Sequence, residues 1–126
     1  MDPAGDVYDW YQRGLQLLTA GSAAAAVQLL ARAADVEPHS PSIREALARA
    51  LFGVRQYADA ADCFRSIIET NPAEDYALFG LGLSLSRLGA FEAAVEHLAL
   101  AAAMRPDNKH YTTALRQARA TLNARR

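Results

Sequence analysis

The sequence predicts an all-α fold: an α-solenoid of three helix-turn-helix repeats closed by a final helix, about seven helices in all. Three observations carry this prediction. Of 126 residues, 28 are alanine and 16 leucine, both strong helix formers, against only 7 glycines and 5 prolines. Pro38, Pro72 and Pro106 stand 34 residues apart, at places where a proline can end one helix and open the next. Further columns keep the same period: Ala26, Ala60 and Ala94; Leu17, Leu51 and Leu85; Leu30, Phe64 and Leu98; Gly14, Ala48 and Gly82.

A tail of residues 1–6 precedes the first unit, 7–40, whose apolar positions recur at three and four and predict helices near 7–19 and 23–35. Gly21 marks the turn between them, and Ser22 can cap the second. The unit 41–74 predicts helices near 41–53 and 57–70; Ser40 caps the first, and Arg55 stands where the other units carry glycine. In the unit 75–108 the helices fall near 74–87 and 91–104. Asn71-Pro72-Ala73-Glu74 offers a capping box at their start and Gly89 the inner turn. Asp107 then caps a closing helix near 108–124, within a terminal segment 109–126. Its stripe Tyr111, Leu115, Ala118 and Leu122 covers the open end of the stack.

Small residues at 14, 48, 82 and at 26, 60, 94 let helix backbones approach closely. Large residues fill the remaining space: Trp10, Leu17 and Leu30; Leu47, Leu51, Phe64 and Ile67; Leu78, Leu81, Leu85 and Leu98.

The formal charge of −1 provides no field to hold nucleic acid or an anionic membrane. Lys109, Arg116, Arg119, Arg125 and Arg126 against Asp107 make the end of the chain basic, which reads as a solvated helix face. The chain opens with Asp2 and Asp6 instead of a basic leader, and no apolar run is long enough to span a membrane. With a single cysteine, Cys63, this points to the cytoplasm. His39, His97 and His110 share no helix face at ligand spacing, Cys63 has an acidic neighbour in Asp62, and Gly80-Leu81-Gly82 lies inside a helix pattern. The expectation is a chain with no catalytic residue, no metal and no cofactor.

These columns resemble the tetratricopeptide repeat (TPR) family, whose pattern runs W-x2-L-G-x2-Y, then A-x3-F, then P. The first copy holds Trp10-x2-Arg13-Gly14-x2-Leu17, Ala26-x3-Leu30 and Pro38. The third holds Leu78-x2-Leu81-Gly82-x2-Leu85, Ala94-x3-Leu98 and Pro106. In the looser middle copy, Leu47, Ala48, Leu51, Ala60, Phe64 and Pro72 keep the pattern, while Arg44 takes the place of Trp10. Arg13 departs likewise, from leucine. The resemblance spans 7–108.

It implies an adaptor, scaffold or chaperone-like module whose first helices line a concave groove for a peptide or helix of a partner protein. On the first helix, Tyr8, Tyr11, Leu15 and Leu18 form a second apolar stripe, two residues out of phase with Trp10, Gly14 and Leu17. Equivalent places hold Ser42, Glu45, Arg49 and Phe52, then Tyr76, Phe79, Leu83 and Ser86, with Arg87 beside them. The candidate groove is therefore Tyr8, Tyr11, Leu15, Glu45, Arg49, Phe52, Tyr76, Phe79, Leu83 and Arg87, aromatic in character and separate from the core stripe. One subgroup grips a terminal carboxylate with cationic and amide side chains. The matching places here hold Tyr11, Leu15, Ala46, Tyr76 and Gly80, which offer no such grip. The alternative is an assembly subunit whose groove is filled permanently, by a second copy in a homodimer or by a stable partner.

Overall fold

The computed structural model describes residues 6–126; all of the expected tail except Asp6 lies outside them. Among the described residues the regular elements are seven α-helices: α1 (Val7–Thr19), α2 (Ala23–Val36), α3 (Pro41–Gly53), α4 (Tyr57–Thr70), α5 (Asp75–Arg87), α6 (Phe91–Met104) and α7 (Lys109–Ala124). Each lies within a residue of the span predicted from periodicity.

Three short turns repeat one geometry. Gly21 (φ 81°), Arg55 (φ 65°) and Gly89 (φ 83°) all adopt the left-handed conformation after a helix. In each, two backbone bonds close the helix end. Ser22 N–H donates to Leu17 at 2.8 Å and Gly21 N–H to Leu18 at 3.1 Å; Gln56 to Leu51 and Arg55 to Phe52, and Ala90 to Leu85 and Gly89 to Ser86, repeat the pair. This is the Schellman arrangement, which satisfies carbonyls the helix leaves without partners. Pro38, Pro72 and Pro106 each follow the acceptor of a four-residue turn, closed by Ser40 N–H to Glu37 O, Glu74 N–H to Asn71 O and Asn108 N–H to Arg105 O. Proline suits that second turn position because its φ is already set.

The caps also keep the period, though partly at other residues than expected. Asp6, Ser40, Glu74 and Asn108 precede α1, α3, α5 and α7, at intervals of 34. Asp6 accepts from Asp9 N–H, Ser40 from Ile43 N–H, and Asn108 from both His110 and Tyr111 N–H. Asp107 is therefore not the cap of α7, because Asn108 is one residue closer to the orphan donors. Asn71 builds no capping box: its carbonyl oxygen accepts from Ala73 N–H and its amide reaches Glu74. Ser22 precedes α2 without a side-chain bond to it.

The chain divides into two compact units, one ending at Cys63 and the other spanning Phe64–Arg126. In the first, α2 packs against both α1 and α3, and α1 touches α3. Gly14 allows this closeness: a methyl group there would lie 2.6 Å from Leu30. Leu30, Ala26, Ala46 and Ala50 form the buried cluster, with Tyr11, Leu15, Leu17 and Leu18 around it. The two arginines in apolar columns are accommodated at the surface. Arg13 is exposed, and Arg44 Nε donates to Pro38 O at 2.6 Å, so that side chain ties α3 to the preceding turn.

In the second unit, α6 packs against α5 and α7, and α5 touches α7. Gly82 faces Leu98 and Gly80 faces the ring of Phe64; neither has room for a side chain. Tyr111, Ala114 and Ala118 of α7 are buried, with Leu115 beside them, so α7 covers the apolar side of α5 and α6. A polar bond fixes its start: Tyr111 Oη donates to Asp75 Oδ2 at 2.7 Å, and Arg105 Nε lies 3.7 Å from Asp75 Oδ1.

Candidate protein-binding surface

Within each unit the side of the first helices away from their partners is open. In the first unit, Tyr8 and Tyr11 of α1, Ser42 and Ile43 of α3, and Glu37 and Ser40 of the turn line a cleft of about 320 Å³. Tyr8 is 68% exposed. Further along α3, Glu45 is half-buried and Arg49 exposed. Phe52 sets its ring edge-on against Tyr57, with centroids 5.0 Å apart.

In the second unit, Tyr76 lies between Phe64 and Phe79, each 6.2 Å away, and Phe79 lies 4.7 Å from Tyr111. Two clefts open between α5 and α7, and both include Leu83, Ala114 and Gln117. The larger, about 440 Å³, adds Phe79, Lys109, His110 and Thr113. The smaller, about 240 Å³, adds Ser86, Arg87, Phe91 and Thr121. Arg87 is exposed.

The expectation that the second stripe stands apart from the core needs correcting at five places. Tyr11, Leu15 and Leu18 pack on the cluster around Leu30, Phe79 packs against Leu78, Leu98 and the α7 side chains, and Leu83 packs on the cluster of Leu98, Ala114 and Ala118. The cause is that each first helix touches the next first helix in its unit, which covers part of a face that would otherwise be free. Alanine at Tyr11 or Phe79 therefore removes core contacts as well as open surface.

Lys109, His110, Thr113 and Gln117 lie outside the expected groove yet line the larger α5–α7 cleft, because α7 forms one of its walls as well as closing the stack. The signal lay in the period. His110, Thr113 and Gln117 follow Tyr76, Phe79 and Leu83 by 34 residues, so α7 takes the register of a further first helix. The two inner positions Ala46 and Gly80, which match a terminal-carboxylate grip, are buried against neighbouring helices.

The remaining reactive groups are placed individually. His39 and His110 are exposed, and His97 Nδ1 lies 2.8 Å from Ala93 O. Burial pushes the half-buried Cys63 thiol above its ordinary range, helped by Asp59 and Asp62 and opposed by Arg44, so thiolate is scarce at neutral pH. Among the described residues no group of three or more His, Cys, Asp or Glu is placed to hold a metal, and no helix is long and apolar enough to cross a membrane.

Comparison with known proteins finds that residues 45–109 match a model of the family described as Tetratricopeptide repeat. No curated protein sequence matches the chain. Among solved structures it is similar to the first TPR of Spaghetti (RPAP3) bound to HSP90 peptide SRMEEVD, with 19% identity, a TM-score of 0.87 and 95% of each chain covered. MamA 41-end from Desulfovibrio magneticus RS-1 gives 21% identity and 0.88 over 94% of this chain and 67% of that one. The Sgt2 TPR domain from Aspergillus fumigatus gives 16% and 0.85 over 94% and 80%. At such identities the likeness shows the fold.

Proposed function

The chain belongs to the tetratricopeptide repeat family, and on that premise we propose that it is a cytoplasmic adaptor of three repeats, 7–40, 41–74 and 75–108, with 109–126 closing the stack. Repeats of this kind are protein-interaction modules and as a rule carry no catalysis. The surface of the first helices receives a peptide or helix of a partner protein, with no cofactor, nucleic acid or membrane involved. One observation carries this reading: in each unit a cleft lies between successive first helices, with Tyr11 lining one and Phe79, at the same register two repeats on, lining the other. Aromatic rings supply large contact area with few rotatable bonds. The remaining candidates, Tyr8, Leu15, Glu45, Arg49, Phe52, Tyr76, Leu83 and Arg87, frame these clefts or continue their helix faces.

A displayed random-peptide library selected on the whole chain tests the reading. Selected peptides are expected to lose about five- to thirtyfold in affinity with Tyr8→Ala, and not with Leu100→Ser on the outer face of α6, where Leu100 is exposed. Loss with Leu100→Ser and none with Tyr8→Ala would overturn it. A concentration-independent dimer by light scattering, in which Tyr8 is protected from modification, would favour the permanently filled groove instead.

A further inference from the structure

The charges around the α5–α7 clefts are all of one sign. Lys109 borders the larger cleft at the start of α7, beside the imidazole of His110, and Arg87 borders the smaller one, so the two formal charges are Lys109 and Arg87; no aspartate or glutamate lines either cleft. The nearest acid on these helices by register, Asp75, is engaged by Tyr111 Oη at 2.7 Å and faced by Arg105. Between the cations lies an apolar floor of Phe79, Leu83 and Ala114, with the exposed Gln117 lining both clefts. An apolar floor with a cationic rim fits a ligand whose apolar anchors alternate with carboxylates. Ala46 and Gly80 are closed off by packing, so no pair of inner cations is available to hold a chain terminus.

We propose that the α5–α7 cleft seats an internal acidic segment of a partner protein, with apolar anchors on Phe79 and Leu83 and side-chain carboxylates toward Lys109, and that a free carboxyl terminus is not required. The proposal rests on the reading of the first-helix surface as the binding face and names the ligand chemistry there. α7 is then a wall of the site as well as a closing helix.

Three short synthetic peptides with both termini blocked test it, with leucine alternating with glutamate, glutamine or lysine. Calorimetric titration of the whole chain is expected to show the glutamate peptide binding at least about tenfold more tightly than the glutamine peptide. The preference should fall as salt is raised. Lys109→Glu and Gln117→Glu change exposed side chains; each is expected to cut affinity for the glutamate peptide about tenfold, with helicity and melting unchanged. Amide shifts on binding should centre on α5 and α7. Equal binding of the three peptides would overturn the charge assignment while leaving the groove reading intact. Amide shifts centred on the outer face of α6 would overturn both. Binding of the glutamate peptide weaker than about 1 mM overturns the proposal.

Discussion

Replacing Arg55 with glycine should stabilise the protein, although it deletes a side chain. Arg55 has φ 65° and is the only non-glycine residue with positive φ among the described residues; its counterparts are Gly21 at 81° and Gly89 at 83°. A side chain in this conformation brings Cβ close to the following carbonyl oxygen, at a cost of about 1–2 kcal/mol. Glycine removes that cost but widens the unfolded ensemble, which offsets about 0.4–1 kcal/mol. Arg55 is exposed, so its other contacts matter by about 0.5 kcal/mol or less. The expected net gain is about 0.5–1 kcal/mol, or roughly 2–4 °C for a chain of this size. The reverse exchange supplies the control. At Gly21 and Gly89 an added methyl would meet nothing within 4 Å, so Gly21→Ala and Gly89→Ala test backbone conformation alone and should each cost about 1 kcal/mol. Urea unfolding followed by circular dichroism measures all three; the midpoint should move while the slope stays constant. Destabilisation by Arg55→Gly together with neutral glycine replacements would refute the argument, because the left-handed turn would then not govern stability.

Gly14→Ala is expected to cost about 1–2 kcal/mol in the same assay: its methyl would sit 2.6 Å from the fully buried Leu30, and the strain outweighs alanine's better helix propensity. A stabilised variant would place the α1–α2 contact elsewhere. Tyr111→Phe should cost about 1–2 kcal/mol at neutral pH through the lost bond to the Asp75 carboxylate. Burial and that bond hold the Tyr111 hydroxyl well above its ordinary 10.0. Its contribution is therefore complete below pH 10, and the gap between the two proteins should narrow as pH rises further. A gap that widens, or a Tyr111 phenolate absorbing in the ordinary tyrosine range, would contradict the geometry. Because burial raises the Cys63 thiol, its reaction with a disulfide reagent near pH 8 should be at least about tenfold slower in the folded chain than in urea; equal rates would count against the placement of α4.

Much of this molecule is legible in one period. Prolines at 38, 72 and 106 and small residues at 14, 48 and 82 define where helices end and where backbones meet, because both constraints act through residue type alone: a ring that sets φ, and a missing side chain that permits contact. Even Arg55 is found by its column, since a turn of that length demands the left-handed conformation whichever residue occupies it. The caps are less legible. Asn108 displaced Asp107 because the two adjacent side chains are both candidate acceptors and a one-residue shift in the helix start selects between them, while Asn71 is held in the preceding turn and leaves Glu74 at the start of α5.

Tertiary structure alone decided the surface. Periodicity separates the faces of one helix, but which face stays open depends on the neighbouring helices. The contact of α1 with α3, and of α5 with α7, drew Tyr11, Leu15, Phe79 and Leu83 partly into the core. The same contact brought Lys109, His110 and Gln117 beside Phe79 and Leu83. Those residues lie about thirty apart in sequence, and only the approach of two first helices across a shared second helix brings them together.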